Sequence, residues 1–362
     1  MRPVFETKEE GLAITLPAPI PVTIIAGFLG AGKTTLLNHI LSENHGVRAG
    51  VLVNDFGAIN IDAKLIVGVE GDTITLENGC VCCNIRDDLI AACLTLLNSE
   101  DPPEMLLIET SGVSDPEQVA SSFASPNFAG VFSVNTVLTL VDAEQLPNLT
   151  GEMVAMARSQ IRVADIVVLN KADLVDASQI VQVSSLIRGI SPNVRIIETT
   201  QGRVPLALVM DPHIATQASP SSDDHADHNH ETHHHHDRTF DTWHWSCREK
   251  LSLPKLQAVL DNLPTTIYRA KGLFYTEELP VFRVVLQLVG TRYSLADTDR
   301  WGDAVPCSEL VMIAERGGID HEKMQRVFEG CIGSGDDSNS PVLRLMKKLA
   351  PHYLDESPGV VS

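Results

Sequence analysis

The stretch GFLGAGKTT, Gly27 to Thr35, constrains the fold more than any other feature of this 362-residue chain. It matches the spacing G-x-x-x-x-G-K-[ST] through Gly27, Gly32, Lys33 and Thr34. That pattern carries meaning only between a strand and a helix, and both flanks are present: VTIIAG precedes it and an apolar-periodic LLNHIL follows. Glycines there let backbone N–H groups turn inward around a β-phosphate, while Lys33 reaches the β and γ oxygens and the Thr34 hydroxyl can ligate Mg²⁺. A helix starting near Lys33 adds the positive end of its dipole. The nucleotide contacts expected here are Gly27, Gly30, Ala31, Gly32, Lys33, Thr34 and Thr35.

The surrounding sequence fits that loop into an α/β domain. From Val22 to about Met210, short β-branched runs alternate with helical patterns, as in βαβ units of a mostly parallel sheet. The strand candidates begin near residues 22, 50, 73, 104, 135, 165 and 194. Between them, NIRDDLIAACLTLL puts Leu89, Ile90, Cys93, Leu96 and Leu97 on one helical face, with Asn84 able to cap it. The chain is too long for one compact core of ordinary size, and its composition breaks sharply after about residue 212. The expected division is an N-terminal extension over 1–20, a P-loop domain over 21–212, a His-rich acidic linker over 213–239, a smaller α+β domain over 240–352 and a tail over 353–362. In the smaller domain, strands are expected at FDTWHWSC, TTIYR, VFRVVLQL and ELVMIA. A helix carries Leu256, Val259, Leu260 and Leu263 in phase, and another starts near His321.

Two further motifs turn a phosphate site into a nucleotide switch. LLIETSG ends a strand on Glu109 and places Gly112 three residues later. A carboxylate there can hold the Mg²⁺ water shell or orient an attacking water, and the Gly112 N–H can meet a γ-phosphate. VVLNKAD then offers Asn170, Lys171 and Asp173, and an Asp carboxylate in that place accepts two N–H groups from guanine, which adenine does not present. Each motif alone doubles as a cap or turn composition. Together, in this order, they point to a GTPase. Asp55, in VNDFG, is a second candidate for positioning the water or a metal.

The formal charge of −20 leaves no basic face for a phosphate backbone, so nucleic acid is not the expected partner. No apolar run reaches the roughly 20 residues of a membrane span, and the N-terminus has no secretory pattern. A cytoplasmic protein is expected. Seven cysteines, an odd number, do not suggest a disulfide framework. Cys80, Cys82 and Cys83 in ENGCVCCNI are nevertheless clustered. A bend after Cys80 would let all three thiolates reach one soft or borderline metal, Zn²⁺, Cu⁺ or Co²⁺, with water, Asp55, a histidine or a client side chain as fourth ligand. The bland alternative is small buried residues; a redox pair is disfavoured because vicinal Cys82 and Cys83 would form a strained disulfide. Cys93, Cys307 and Cys331 read as ordinary buried cysteines.

TIIAGFLGAGKTTLLNHIL, VNDFG, NGCVCC, IETSG and NKAD, followed by a His-rich segment and YRAKGLFY, resemble the CobW family of metal-handling GTPases over about residues 22–350. The resemblance implies a GTP-binding domain, metal binding at Cys80, Cys82 and Cys83, and a C-terminal domain that contacts partners. Family members act as zinc chaperones, cobalt insertion factors or activators of nitrile hydratase. Many relatives carry Glu at the position of Asp55. The Cys-Pro-x-Leu-Val-Pro segment of relatives that dock on methionine aminopeptidase is absent from LPAPIPVTII.

His225, His228, His230, His233, His234, His235 and His236, mixed with acidic residues, can chelate borderline metals in many exchanging geometries, as a low-specificity reservoir. The alternative is a solvated linker. Arg269 and Lys271 of YRAKG match the family but read equally as a solvated face, and His244 and Cys247 as core or surface. The expected function is a GTP-hydrolysing metallochaperone using GTP, Mg²⁺ and Zn²⁺ or Co²⁺, with a client apo-metalloprotein as partner. The competing readings are a regulatory GTPase with a purely structural metal site and a metal buffer.

Overall fold

The computed structural model describes residues 19–43, 46–54, 73–76, 85–99, 101–123, 128, 130–209, 240–302 and 304–333. The chain clusters into two compact units, Met1–His236 with Val289–Arg292, and Asp237–Leu288 with Tyr293–Ser362.

The first unit is built on strands β1 (Ile20–Gly27), β2 (Ala49–Asn54), β3 (Thr73–Leu76), β4 (Met105–Glu109), β5 (Phe132–Asp142), β6 (Ile166–Asn170) and β7 (Arg195–Glu198). They form one sheet in the order β3-β2-β4-β1-β5-β6-β7, and each neighbouring pair is parallel. All seven expected strands are present. β4 and β6 are buried at every position, which is why MLLIE and IVVLN read as unbroken apolar runs: a parallel sheet is covered on both faces. Helices α1 (Lys33–Ser42), α2 (Ile85–Leu97), α3 (Pro116–Phe123), α4 (Glu152–Val163), α5 (Ala177–Ile190) and the short α6 (Leu206–Val209) complete the unit among the described residues.

The predicted apolar face of α2 is observed where side chains are described. Leu89, Cys93, Leu96 and Leu97 are buried with Ile24, Leu106 and Ile108 of the sheet. The Cys93 thiol is pushed up to about 12 by that burial, so it packs as a small apolar group. Helix α5 starts on a full capping box: the Asp176 carboxylate accepts the Gln179 N–H, and the Gln179 side chain accepts the Asp176 N–H.

The second unit holds a five-stranded sheet in the order β11-β10-β9-β12-β8, from β8 (Phe240–Cys247), β9 (Ile267–Phe274), β10 (Phe282–Val289), β11 (Arg292–Arg300) and β12 (Ser308–Glu315). β12 runs antiparallel to both β8 and β9. Helices α7 (Leu253–Leu260) and α8 (His321–Glu329) contribute Leu253, Leu256, Leu260, Met324 and Phe328 to its core. Phe328 sits against the rings of Trp243 and Trp245, with centroids 5.8 and 5.5 Å away. β11 was not expected from the sequence; RYSLADTDR has little β-branched content, and its place at the end of the strand order makes that tolerable. Arg269 corrects another expectation. It is 3% exposed, so it is no solvated face. His244 is exposed and Cys247 half-buried on β8.

Candidate nucleotide and metal site

A parallel sheet gathers the carboxyl ends of its strands on one edge, and ligands bind outside those ends where the strand order changes direction. Here that strand is β1, with β4 on one side and β5 on the other. The motif residues follow from this topology. β1 ends on Gly27, β4 on Glu109, β5 on Asp142 and β6 on Asn170.

Two glycines shape the phosphate loop. Gly27 has φ 140°, and a Cβ there would strike the Leu140 carbonyl oxygen of β5. Gly32, with φ 102°, is the N-cap of α1, and a Cβ there would strike the Asn170 amide nitrogen. Both the backbone conformation and the crowding therefore require glycine. No side chain caps the start of α1, so its first-turn N–H groups are offered to whatever the loop encloses. Gly30 faces open space and Thr35 is exposed. Lys33 is 7% exposed and donates to the Phe28 carbonyl at 3.3 Å, folding back over its own loop.

The Thr34 hydroxyl donates to Glu109 Oε1 at 2.9 Å, and Glu109 is 2% exposed. These two groups lie 75 residues apart in the chain and meet only because β1 and β4 are paired. A hydroxyl beside a carboxylate at the mouth of a phosphate loop is a hard-oxygen donor set of the kind Mg²⁺ takes together with phosphate oxygens and water. The residues fit that ion. Gly112 closes this side, for a Cβ on it would sit 2.7 Å from the Leu29 backbone nitrogen.

On the other side, Asn170 is a strut. Its Nδ2 donates to the Ala31 carbonyl at 2.8 Å and its Oδ1 accepts the Gly202 N–H at 3.0 Å, which ties the phosphate loop to the turn after β7. Lys171 has φ 59°, in the left-handed region, and its Nζ lies 2.6 Å from Asp142 Oδ2. The other Asp142 oxygen accepts the N–H groups of Glu144 and Gln145, each at 3.0 Å. Asp173 is exposed on the short turn Ala172–Leu174.

The structure thus brings together the loop from Gly27 to Thr34, Glu109, Gly112 and Asn170, with Lys171 next in chain. Asp55, Cys80, Cys82, Cys83 and the histidines from His225 to His236 lie outside the described residues. Among the described residues no group of three or more His, Cys, Asp and Glu side chains could hold a metal ion, and no helix is long and apolar enough to cross a membrane. Sequence reasoning missed Asp142 and Gly202. Asp142 carried the same signal as Glu109, an acidic residue ending an apolar strand. Gly202 sat in an ordinary turn composition, TTQGR.

The family model described as CobW/HypB/UreG, nucleotide-binding domain, matches residues 21–198, and the one described as Cobalamin synthesis protein cobW C-terminal domain matches residues 240–332. The zinc chaperone CobW of Pseudomonas aeruginosa is 31% identical over 354 residues, covering 87% of this chain and 92% of that protein. The chain belongs to the CobW family. A second relative, the zinc chaperone YjiA of Escherichia coli K12, is 32% identical over 330 residues, covering 86% of this chain and 98% of that protein. Among solved structures, the Zn(II)-bound YjiA GTPase from E. coli is 25% identical, covers 87% of this chain and 99% of that chain, and gives a TM-score of 0.40. The CobW nucleotide-binding match ends on the last residue of β7 and spans every strand that contributes to the site described above.

Proposed function

We propose that this chain is a GTP-hydrolysing metallochaperone. It binds GTP on the Gly27–Thr35 loop, carries Zn²⁺ on Cys80, Cys82 and Cys83, and delivers it to a client metalloprotein, with Co²⁺ as the second candidate cargo. The observation that carries the reading is the Thr34 to Glu109 hydrogen bond at 2.9 Å, beside a loop in which Gly27 and Gly32 leave no room for a side chain. The names of two relatives, both zinc chaperones, support the cargo, and the match to a nucleotide-binding domain over residues 21–198 supports the nucleotide.

The residues divide the work as follows. Gly27, Gly30, Ala31 and Gly32 let the backbone wrap the phosphates, and the first-turn N–H groups of α1 meet their negative charge. Lys33 leaves the Phe28 carbonyl for the phosphate oxygens, exchanging a neutral acceptor for a charged one. Thr34 and Glu109 are the residues that would hold Mg²⁺, and such an ion would supply neutralising charge for the transferring phosphoryl group. Glu109 or Asp55 orients the water that attacks in line with the bond to the leaving GDP. Asp173 accepts the guanine N–H groups, while Asn170 holds the loop. No arginine finger is apparent among these residues, so turnover is slow until a client binds.

GTP is proposed to gate the cargo, since VNDFGAINID and NGCVCC follow the first helix and precede the acidic strand, where nucleotide switches rearrange. The test is a competitive titration of the full chain with Zn²⁺, and in parallel Co²⁺, in the presence of GTP or GDP with Mg²⁺. Tighter Zn²⁺ binding with GTP is expected, with reciprocal tightening of GTP by Zn²⁺. Equal metal affinity in both nucleotide states would remove the gating. Unfolding on removal of the metal would favour a structural metal site instead.

A further inference from the structure

Gln160 lies on α4, and its side chain is 1% exposed in a row of otherwise apolar buried residues, Ala157 and Ile161. A glutamine is an expensive choice at such a position unless both amide hydrogens are used. They are used on one short turn. Nε2 donates to the Gly112 carbonyl at 3.1 Å and to the Ser114 carbonyl at 3.1 Å, across 48 and 46 residues of chain. The helix is itself anchored at this point, because the Thr139 hydroxyl of β5 donates to the Gln160 carbonyl at 3.0 Å.

The turn that Gln160 grips is the one that follows Glu109. Its peptide planes are fixed on both sides of Gly112. The Ser111 carbonyl accepts the Ser114 N–H at 3.0 Å, so it points into the turn. In a trans peptide the N–H lies opposite the C=O, so the Gly112 N–H points out of the turn. The next plane is set by Gln160, through the Gly112 carbonyl. Gly112 meanwhile packs against the phosphate loop, with room for no Cβ before Leu29. The turn is therefore clamped between Leu29 and the Gln160 amide, with its free donor directed outward.

We propose that Gln160 is a positioning residue of the nucleotide switch: its amide holds the Ser111–Ser114 turn so that the Gly112 N–H is presented to a γ-phosphate, and it thereby sets the preference for GTP over GDP. This rests on the reading of the site as a GTP switch. The physical basis is preorganisation. With the turn fixed in advance, a γ-phosphate gains the Gly112 donor without ordering the loop. GDP, which lacks that phosphate, is indifferent to the clamp.

The experiment is nucleotide titration of the full-length protein, with GDP and with a non-hydrolysable GTP analogue, in the wild type and in Gln160→Met. Methionine keeps the length and the burial but donates nothing. The expected result is GTP-analogue affinity reduced about tenfold, as befits two lost neutral hydrogen bonds, with GDP affinity changed by less than about twofold. A parallel fall for both nucleotides, or no change for either, would overturn the proposal, since a residue that only supports the fold has no reason to distinguish them. If Gln160→Met does not fold, Gln160→Asn carries the same readout: its shorter amide cannot span both carbonyls, and the ratio of the two affinities must still shift. Should the wild type bind neither guanine nucleotide, the GTP reading itself fails, an outcome separate from equal effects on the two ligands.

Discussion

At the residue scale, the site turns on short bonds between groups far apart in sequence. Thr34→Val keeps the shape and removes the hydroxyl that meets Glu109. GTP hydrolysis should fall by about 10² or more, the size of effect seen when one preorganised transition-state contact is removed, as read by phosphate release at saturating GTP. Asp142→Asn tests the other flank. The asparagine retains an acceptor for the Glu144 and Gln145 N–H groups but loses the charge facing Lys171. A hydrogen bond to a charged group is worth about 1.5–3 kcal/mol; the exposed half of this pair is one-third open to solvent, at 33%, so the effect belongs at the low end. Guanine-nucleotide affinity should drop about tenfold in a fluorescence titration, with Asp142→Glu recovering part of it. The buried thiols give a pH signature. Cys93 is pushed up to about 12 and Cys331 to about 11 from 9.0, in both cases chiefly by burial, with Lys255 pulling Cys331 partly back. Their folded-state values lie above the unfolded one, so the stabilisation is complete below pH 9 and is lost as pH rises toward 11 and 12. At pH 8 neither should be alkylated by iodoacetamide in the folded protein, whereas both should be in denaturant, as peptide mass spectrometry would show.

At the element scale, the two units were legible to different degrees. The seven strands of the first unit stood out because parallel strands buried on both faces become unbroken apolar runs, and the carboxyl ends of β1, β4 and β6 carried recognisable chemistry. The cross-links between elements were not legible. Asn170 reads as a nucleotide contact in NKAD, yet its amide spans from Ala31 to Gly202, a role decided by strand order and invisible in spacing. Gln160 shows the same gap, since helical periodicity predicts which face a residue takes only when its polarity agrees with its burial. β11 was missed because a strand at the end of the sheet needs no apolar run. In the second unit the packing of α8 on the sheet gives a plain expectation. Phe328 is fully buried between Trp243 and Trp245, so Phe328→Ala should destabilise that unit by about 3–5 kcal/mol, measured as a lower Tm of the full chain, with nucleotide affinity retained in the first unit.

At the scale of the whole molecule, metal handling under this reading is divided among segments with different chemistry. Thr34 and Glu109 present hard oxygens suited to Mg²⁺, whereas Cys80, Cys82 and Cys83 are soft ligands that reject it in favour of Zn²⁺. Two cations can therefore be sorted by one chain without competing for one site. Deleting residues 225–236 removes seven imidazoles and should lower the number of Zn²⁺ ions bound at saturation, as read by elemental analysis, while leaving GTP turnover unchanged. Loss of turnover on that deletion would tie the histidines to the switch and refute their role as a reservoir.

The position of β1 between β4 and β5 also has a consequence for how the molecule comes into being. The phosphate loop is among the first described segments to leave the ribosome, but its geometry depends on Leu140 against Gly27, on Glu109 beside Thr34 and on Asn170 bonded to Ala31. A nascent chain lacking β6 would have the loop and no pocket. Nucleotide capture is then a late event in synthesis, one that reports a completed sheet. Because the ligand recognises only that completed state, GTP at about 100 times its dissociation constant would add about 2.7 kcal/mol to the stability of the finished domain. A cell's nucleotide pool would act as the last step of its folding.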